Sequence, residues 1–211
     1  MTKVIYSRKN FTSSRWFLSV IALVLSIGVI FFASLSFDSG LSGVIVETHP
    51  GFWALLAITL YYAFKVQKRN YLTSVFLLYV CGLGIRLLVA FHTLYPGSGP
   101  WWELGSVHSI VSNGFNLKGG YYHSGMPVLQ FLILLLGGVF GTYLTTVFII
   151  PVLAWTLTYS TFYIFFRKHL PPEITILALF LVMTANILFE STLRAETIAI
   201  PIGVLVIHIL L

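Results

Sequence analysis

The sequence predicts an all-α integral membrane fold, with six transmembrane helices and two further juxtamembrane helices along the outer face. Three observations predict it. The chain is 58% hydrophobic and only 9% charged, where a soluble domain carries about 25% charge. The apolar residues fall in long runs, at about 16–36, 71–92, 141–166, 174–189 and 197–211, and about 20 such residues in a helix span the hydrocarbon of a bilayer. The basic residues sit in short clusters beside those runs, which is a topology signal.

Lys3, Arg8, Lys9 and Arg15 precede the first run, so the N-terminus is expected inside the cell membrane. The stretch from Trp16 to Ser36 is longer than a signal-peptide core of about 7–15 residues and is expected to remain as an anchor. The sequon Asn10-Phe11-Thr12 then lies inside, where glycosylation is absent. An outer loop from Phe37 to Gly51 holds Asp38 and Glu47 but no Lys or Arg, and a short span at about 52–65 returns to Lys65, Lys68 and Arg69. To reach full length, that span recruits Thr48 to Pro50 or the stem of Lys65. Residues 1–70 are thus an N-terminal hairpin, and a third span at about 71–92 opens a second module covering 71–211.

The apolar stretch from Met126 to Val139 decides the remaining topology. Fourteen residues at about 1.5 Å each reach about 21 Å, short of the hydrocarbon thickness. If it crossed, the next helix would deliver Arg167, Lys168 and His169 to the outside. If it lies along the outer face, that cluster lands inside, and four, three and two of the 12 Lys and Arg residues occupy three inner segments. The second arrangement obeys the positive-inside rule. Beyond a turn at Pro171-Pro172, a span at 174–189 rises to an outer segment from Glu190 to Glu196, and a last span descends from about 197. It stops at Leu211 in mid-helix without a basic stop signal, so the chain is expected to be a piece of a longer protein.

The candidate site lies in the outer loop 93–140. Pro96-Gly97-Ser98-Gly99-Pro100 is turn-forming, and a helix follows from about Trp101 to Asn113, closed by Gly114 as a left-handed cap. Leu104, Val107, Ile110 and Val111 share one arc of that helix and Gly105, Ser106, Ser109, Ser112 and Asn113 another, the pattern of an interfacial amphipathic helix. Glu103 falls on the apolar arc. A carboxylate aimed toward a membrane or a helix-lined cavity needs a partner and marks a candidate general base; its other reading is a helix-start residue favoured by the dipole. His108 lies on a different face. Arg86, inside the third span, either snorkels to the interface or contacts an anion such as a lipid phosphate. Arg194 and Glu196 pair with each other or with Glu190. Tyr121, Tyr122 and His123 serve as interface aromatics or substrate contacts.

Several classes are disfavoured. The net charge of +6 does not form the basic, aromatic-lined stripe of a nucleic-acid binder. The one cysteine, Cys81, sits in an apolar run as a small core residue. Phosphate-binding and metal motifs are absent, and a divalent ion at Glu103 has no second carboxylate beside it. Inverted halves with broken spans, the mark of many transporters, are not visible.

The order of these features resembles the GT-C polytopic glycosyltransferases, including the protein mannosyltransferases and lipid A aminoarabinose transferases. The resemblance rests on Gly82-Leu83-Gly84-Ile85-Arg86-Leu87, a Gly/Pro turn, a short helix ending in Ser112-Asn113-Gly114, then Tyr121-Tyr122-His123-Ser124-Gly125-Met126-Pro127. A long helix after Gly141 ending in Arg167-Lys168, and the later Arg194-Ala195-Glu196, complete it. It covers 71–211 and implies transfer of a sugar from a polyprenyl-phosphate carrier to a protein or glycan acceptor on the outer face. It implies Glu103 as the catalytic acid/base, and Arg86, His108, Tyr121, Tyr122, His123, Arg194 and Glu196 as donor and acceptor contacts, with no metal or other cofactor assigned. The family's acidic residue before the first outer helix falls near Gly99, with Glu103 one turn later, and the stretch Thr142 to Ile150 lacks the family's Arg. The alternative is a non-catalytic multi-pass subunit that binds a membrane lipid or a protein partner.

Overall fold

A computed structural model describes residues 3–35, 48–92, 99–113, 128–184 and 195–210, and the described residues are all-helical. The helices are α1 (Lys3–Leu35), α2 (Pro50–Val66), α3 (Tyr71–His92), α4 (Gly99–Asn113), α5 (Val128–Phe140), α6 (Tyr143–His169), α7 (Pro172–Thr184) and α8 (Ala195–Leu210). Two windows, Trp16–Ala33 of α1 and Tyr71–Leu88 of α3, are long and apolar enough to cross a membrane.

Local chemistry sets several of these boundaries. The His49 ring accepts the Gly51 backbone N–H at 3.1 Å, and Pro50 stands in the first turn of α2, where its missing N–H costs nothing. α2 therefore starts at Pro50, the extension needed to bring a short apolar run to 17 residues. Asn70 caps α3 by accepting the Thr73 N–H at 3.3 Å, a side-chain acceptor for an otherwise orphaned donor. Gly141 has φ +76°, a conformation glycine adopts without a Cβ clash, and it separates α5 from α6.

The contacts also fix helix directions. A Cβ on Gly28 of α1 would meet Leu55 of α2, and Phe32 lies against Gly51, so α1 and α2 are antiparallel. Phe52, near the start of α2, lies beside Gly84, late in α3, which makes that pair antiparallel too. Between α3 and α6, the Tyr159 hydroxyl donates to the Val75 carbonyl at 2.6 Å and Trp155 Nε1 donates to the Tyr79 carbonyl at 3.0 Å. The Tyr71 and Tyr163 rings are 6.4 Å apart. These three contacts recur every four residues, in opposite senses along the two helices, so α6 returns antiparallel to α3. Pro172 shares a cavity with Tyr71 at the start of α3, while Met183 lies by Gly82 further along, so α7 runs with α3. α8 packs along α6 with His208 beside Phe165 at 6.2 Å, near the ends of both, and runs with α6.

Excluding α4 and α5, the helices therefore alternate in direction. The α2–α3 and α6–α7 links share one end of the bundle, and α4 and α5 make no net crossing between α3 and α6. The central helix is α3, which packs against α1, α2, α6 and α7. Leu77, Leu78, Trp155, Ile176 and Leu179 are fully buried around it. Facing outward, α1 exposes Trp16, Phe17, Leu23, Val24 and Ile27, and α8 exposes Ile202, Val206 and Ile209.

Candidate functional site

Arg86 is the charged residue that the fold treats most unusually. It is 0% exposed, and its guanidinium carbon lies 3.6 Å from the centroid of the Trp155 ring. Its Nη1 donates to the Gly82 carbonyl at 3.2 Å and to the Met183 carbonyl at 3.3 Å. A guanidinium suits this position because its plane stacks on an aromatic face while its edge N–H groups reach acceptors. Each helix carbonyl has a second lone pair to offer. The snorkelling alternative is corrected by this geometry: the side chain turns into the α3–α6–α7 interface.

Gly82 makes the stack possible. It stands four residues before Arg86, on the same face of α3, and a Cβ there would collide with the Trp155 ring, with Met183 Cγ at 3.0 Å beyond. Trp155 is in turn fixed by its Nε1–H bond to Tyr79, whose ring stacks on it at 6.5 Å with an interplanar angle of 9°. The Tyr159 ring packs at 5.2 Å. Gly82→Ala is expected to destabilise the chain by about 1–3 kcal/mol through overpacking, outweighing the helix-propensity gain of about 1 kcal/mol. Thermal unfolding in detergent reads the shift. The penalty should shrink in a Trp155→Leu background; an unchanged penalty there would exclude the ring contact as its cause.

A second, smaller cluster joins α4 and α5 to α6. Val107 of α4, Ile133 of α5 and Ile150 of α6 are buried together, with Leu104, Leu132, Leu134 and Leu136 partly buried around them. Ile150 precedes Trp155 by five residues, about 7.5 Å of helix rise, so α4 and α5 sit at the end of the bundle toward which Arg86 lies in α3. The predicted apolar arc of α4 holds at Leu104, Val107 and Ile110, but Val111 is 58% exposed. At 100° per residue Val111 lies between Val107 and Leu104 on that arc, so rotation about the helix axis does not account for its exposure.

The other predicted site residues are distributed as follows. Glu103 is in α4, one turn before Val107, and Glu196 is the second residue of α8; their side chains are outside the described set. His108 is exposed on α4, where its carbonyl accepts the Ser112 hydroxyl at 2.9 Å. Its ring is not brought to Arg86. Tyr121, Tyr122, His123 and Arg194, the Gly114 cap and much of loop 93–140 lie outside the described residues. Among the described residues no three His, Cys, Asp or Glu side chains converge as a metal site.

Sequence reasoning singled out Arg86 but missed Trp155, Gly82 and Met183. The available signal was the four-residue spacing of Trp155, Tyr159 and Tyr163 along α6, together with Gly82 four residues before Arg86. No family model, curated protein or solved structure matches the chain.

Proposed function

We propose that the chain is a six-span protein of the cell membrane, with its N-terminus inside. On this proposal its outer face carries a glycosyltransferase-type site, which uses a polyprenyl-phosphate-linked sugar and a protein or glycan acceptor. The alternating helix directions support the span count. They bring the helix ends and links holding four, three and two of the 12 Lys and Arg residues to one end, as the positive-inside rule requires. The apolar outward faces of α1 and α8 suit lipid better than water.

The single observation that carries the site is the seating of α4 and α5 on α6 through Val107, Ile133 and Ile150. It supports a Glu103-bearing helix at the same end of the bundle as Arg86. On this reading Glu103 takes the proton from an acceptor hydroxyl, and the acceptor oxygen bonds to the anomeric carbon of the sugar. The carrier phosphate leaves with the electrons of the broken bond, and Arg86 stabilises its charge.

The test is transfer by the full chain in vesicles supplied with radiolabelled dolichyl-phosphate mannose or undecaprenyl-phosphate aminoarabinose. Glu103→Gln is expected to lower transfer by about 10²–10⁴-fold, the range for a general base. Full activity in that variant removes Glu103 from the mechanism.

Topology is tested separately by cysteines placed at Lys118 and Arg167. The native Cys81 is buried and leaves a clean background. The two positions should be labelled from opposite sides, and labelling from the same side would make 126–139 a true span.

One observation favours a second reading, a non-catalytic subunit that binds a lipid or a protein partner. The Arg86 guanidinium is engaged by Trp155 and by two helix carbonyls, which is what a residue tying helices together needs. Under that reading wild type and Glu103→Gln fold alike and neither transfers sugar.

A further inference from the structure

At the opposite end of the bundle from Arg86, the α2–α3 link and the turn from α6 into α7 lie side by side, with the Tyr71 and Tyr163 rings 6.4 Å apart. Between them these two segments carry Lys65, Lys68, Arg69, Arg167, Lys168 and His169, and one carboxylate, Glu173. All of these side chains are exposed. The start of α1 belongs to the same end, and Lys3, Arg8, Lys9 and Arg15 precede its apolar run with no acid among them. A collar of one sign of charge raises the local concentration of anions.

The surroundings of the cations decide what kind of anion suits them. Lys65 Nζ lies 5.5 Å from the centroid of the Tyr61 ring, and the Arg167 guanidinium carbon lies 5.9 Å from that of Tyr163. Arg167 Nη1 also donates to the Tyr163 hydroxyl at 3.3 Å. In both pairs the cation is in the last turn of its helix and the tyrosine one turn nearer the middle of the bundle. A ring with a polar tip at that depth suits the headgroup level of a bilayer. Exposed aliphatic side chains stand at a similar depth on three helices. Leu72 follows Arg69 at the start of α3, Ile164 precedes Lys168 on α6, and Leu177 follows Glu173 on α7. A soluble polyanion would use the charges and leave this apolar rim in water. A phospholipid uses both, with its phosphate among the cations and its acyl chains along the rim. A zwitterionic headgroup would bring a further cation into a collar already rich in them, so a net negative headgroup fits better.

We infer that this collar is a docking surface for phospholipids of the inner leaflet whose headgroups carry net negative charge. The inference rests on the six-span reading above for the leaflet, and on the exposed charges and their apolar rim for the chemistry of the lipid.

The experiment is electron paramagnetic resonance on the full chain reconstituted in dioleoylphosphatidylcholine vesicles, with spin-labelled phosphatidylglycerol or spin-labelled phosphatidylcholine as the probe. The motionally restricted fraction measures how strongly each probe associates with the protein. The glycerol lipid is expected to associate more strongly by up to about fivefold, the factor for one Lys or Arg acting at a membrane surface. Raising the salt from about 0.01 M to about 0.15 M should shrink that preference. The double variant Lys68→Gln/Lys168→Gln should lower it at least about twofold, and Glu173→Gln should raise it. The replaced side chains are exposed, so neither variant threatens the fold. Lys118→Gln, in the proposed outer loop, should leave it unchanged. Equal association of the two probes overturns the inference, as does a preference unmoved by salt or by the double variant. A preference lost in Lys118→Gln would belong to the other end of the bundle and overturn it too. Displacement of the labelled lipid by free glycerol phosphate would assign the collar to a soluble phosphate and overturn the lipid source. The cysteine labelling at Lys118 and Arg167 tests the six-span reading without lipid, so the two failures are told apart.

Discussion

Trp155→Ala is expected to lower stability by about 3 kcal/mol or more, the low end for removing a buried Trp. Among the described residues Trp155 is the largest fully buried side chain, and three kinds of contact end on it. Its face carries the Arg86 guanidinium, its Nε1–H holds the Tyr79 carbonyl, and its edge fills the notch at Gly82. If the proposed membrane location is correct, the unfolded reference is surrounded by lipid, transfer from water contributes little, and packing carries the cost. The cavity left by an indole therefore dominates. Trp155→Phe should recover most of the loss, because a ring still covers Arg86, and should retain a deficit of about 1 kcal/mol for the missing Nε1–H bond. Unfolding in detergent, followed by helix signal, measures both. A loss under 1 kcal/mol for the alanine variant would mean that the α3–α6 interface collapses around the gap and that Trp155 is not its centre.

The second large effect is expected at Arg86, where shape and charge separate. Arg86→Ala removes the side chain from a fully buried site and should cost about 2–3 kcal/mol through the space it opens. Arg86→Met keeps much of the volume and removes the charge. Replacing buried ions with apolar groups of similar size is often neutral; the Gly82 carbonyl lies inside α3 and keeps its helical acceptor role, while that of Met183, in the last turn of α7, loses the donor Arg86 supplied. Stability within about 1 kcal/mol of wild type is expected for Arg86→Met. If the proposed transfer reaction is correct, the same variant should lose about 10²–10³-fold in rate, the size of one lost electrostatic stabiliser. A folded Arg86→Met chain with unchanged transfer would confine Arg86 to tying α3, α6 and α7 together. An unfolded one would show that the guanidinium contacts, beyond their volume, hold that interface.

Much of the fold is legible in the sequence because its rules are local. The run at 71–92 became α3 with the expected ends, and the short second run drew in Pro50 as its length required. The parity argument read from Arg167 and Lys168 predicted a return of α6 toward the end where α3 begins. The contacts of Tyr159 with Val75 and Trp155 with Tyr79 run in that sense. The site was less legible. Arg86 stood out as a charge in an apolar run, but beyond Gly82 its partners are remote in sequence: Trp155 lies 69 positions away and Met183 97. Val111 shows the same limit on a smaller scale, since periodicity assigns it to the buried arc and only the neighbours packed along the helix decide which residues of that arc are covered.

By itself the sequence determined the helical class, the approximate element boundaries and the end of each helix at which basic residues gather. Those follow from hydrocarbon thickness, caps and charge, which act over a few residues. Tertiary structure alone decided that Arg86 turns inward onto Trp155 rather than outward to the interface. That outcome depends on a missing Cβ at Gly82, a ring from α6 and a carbonyl from α7 meeting at one point, and no local pattern in the chain encodes the meeting.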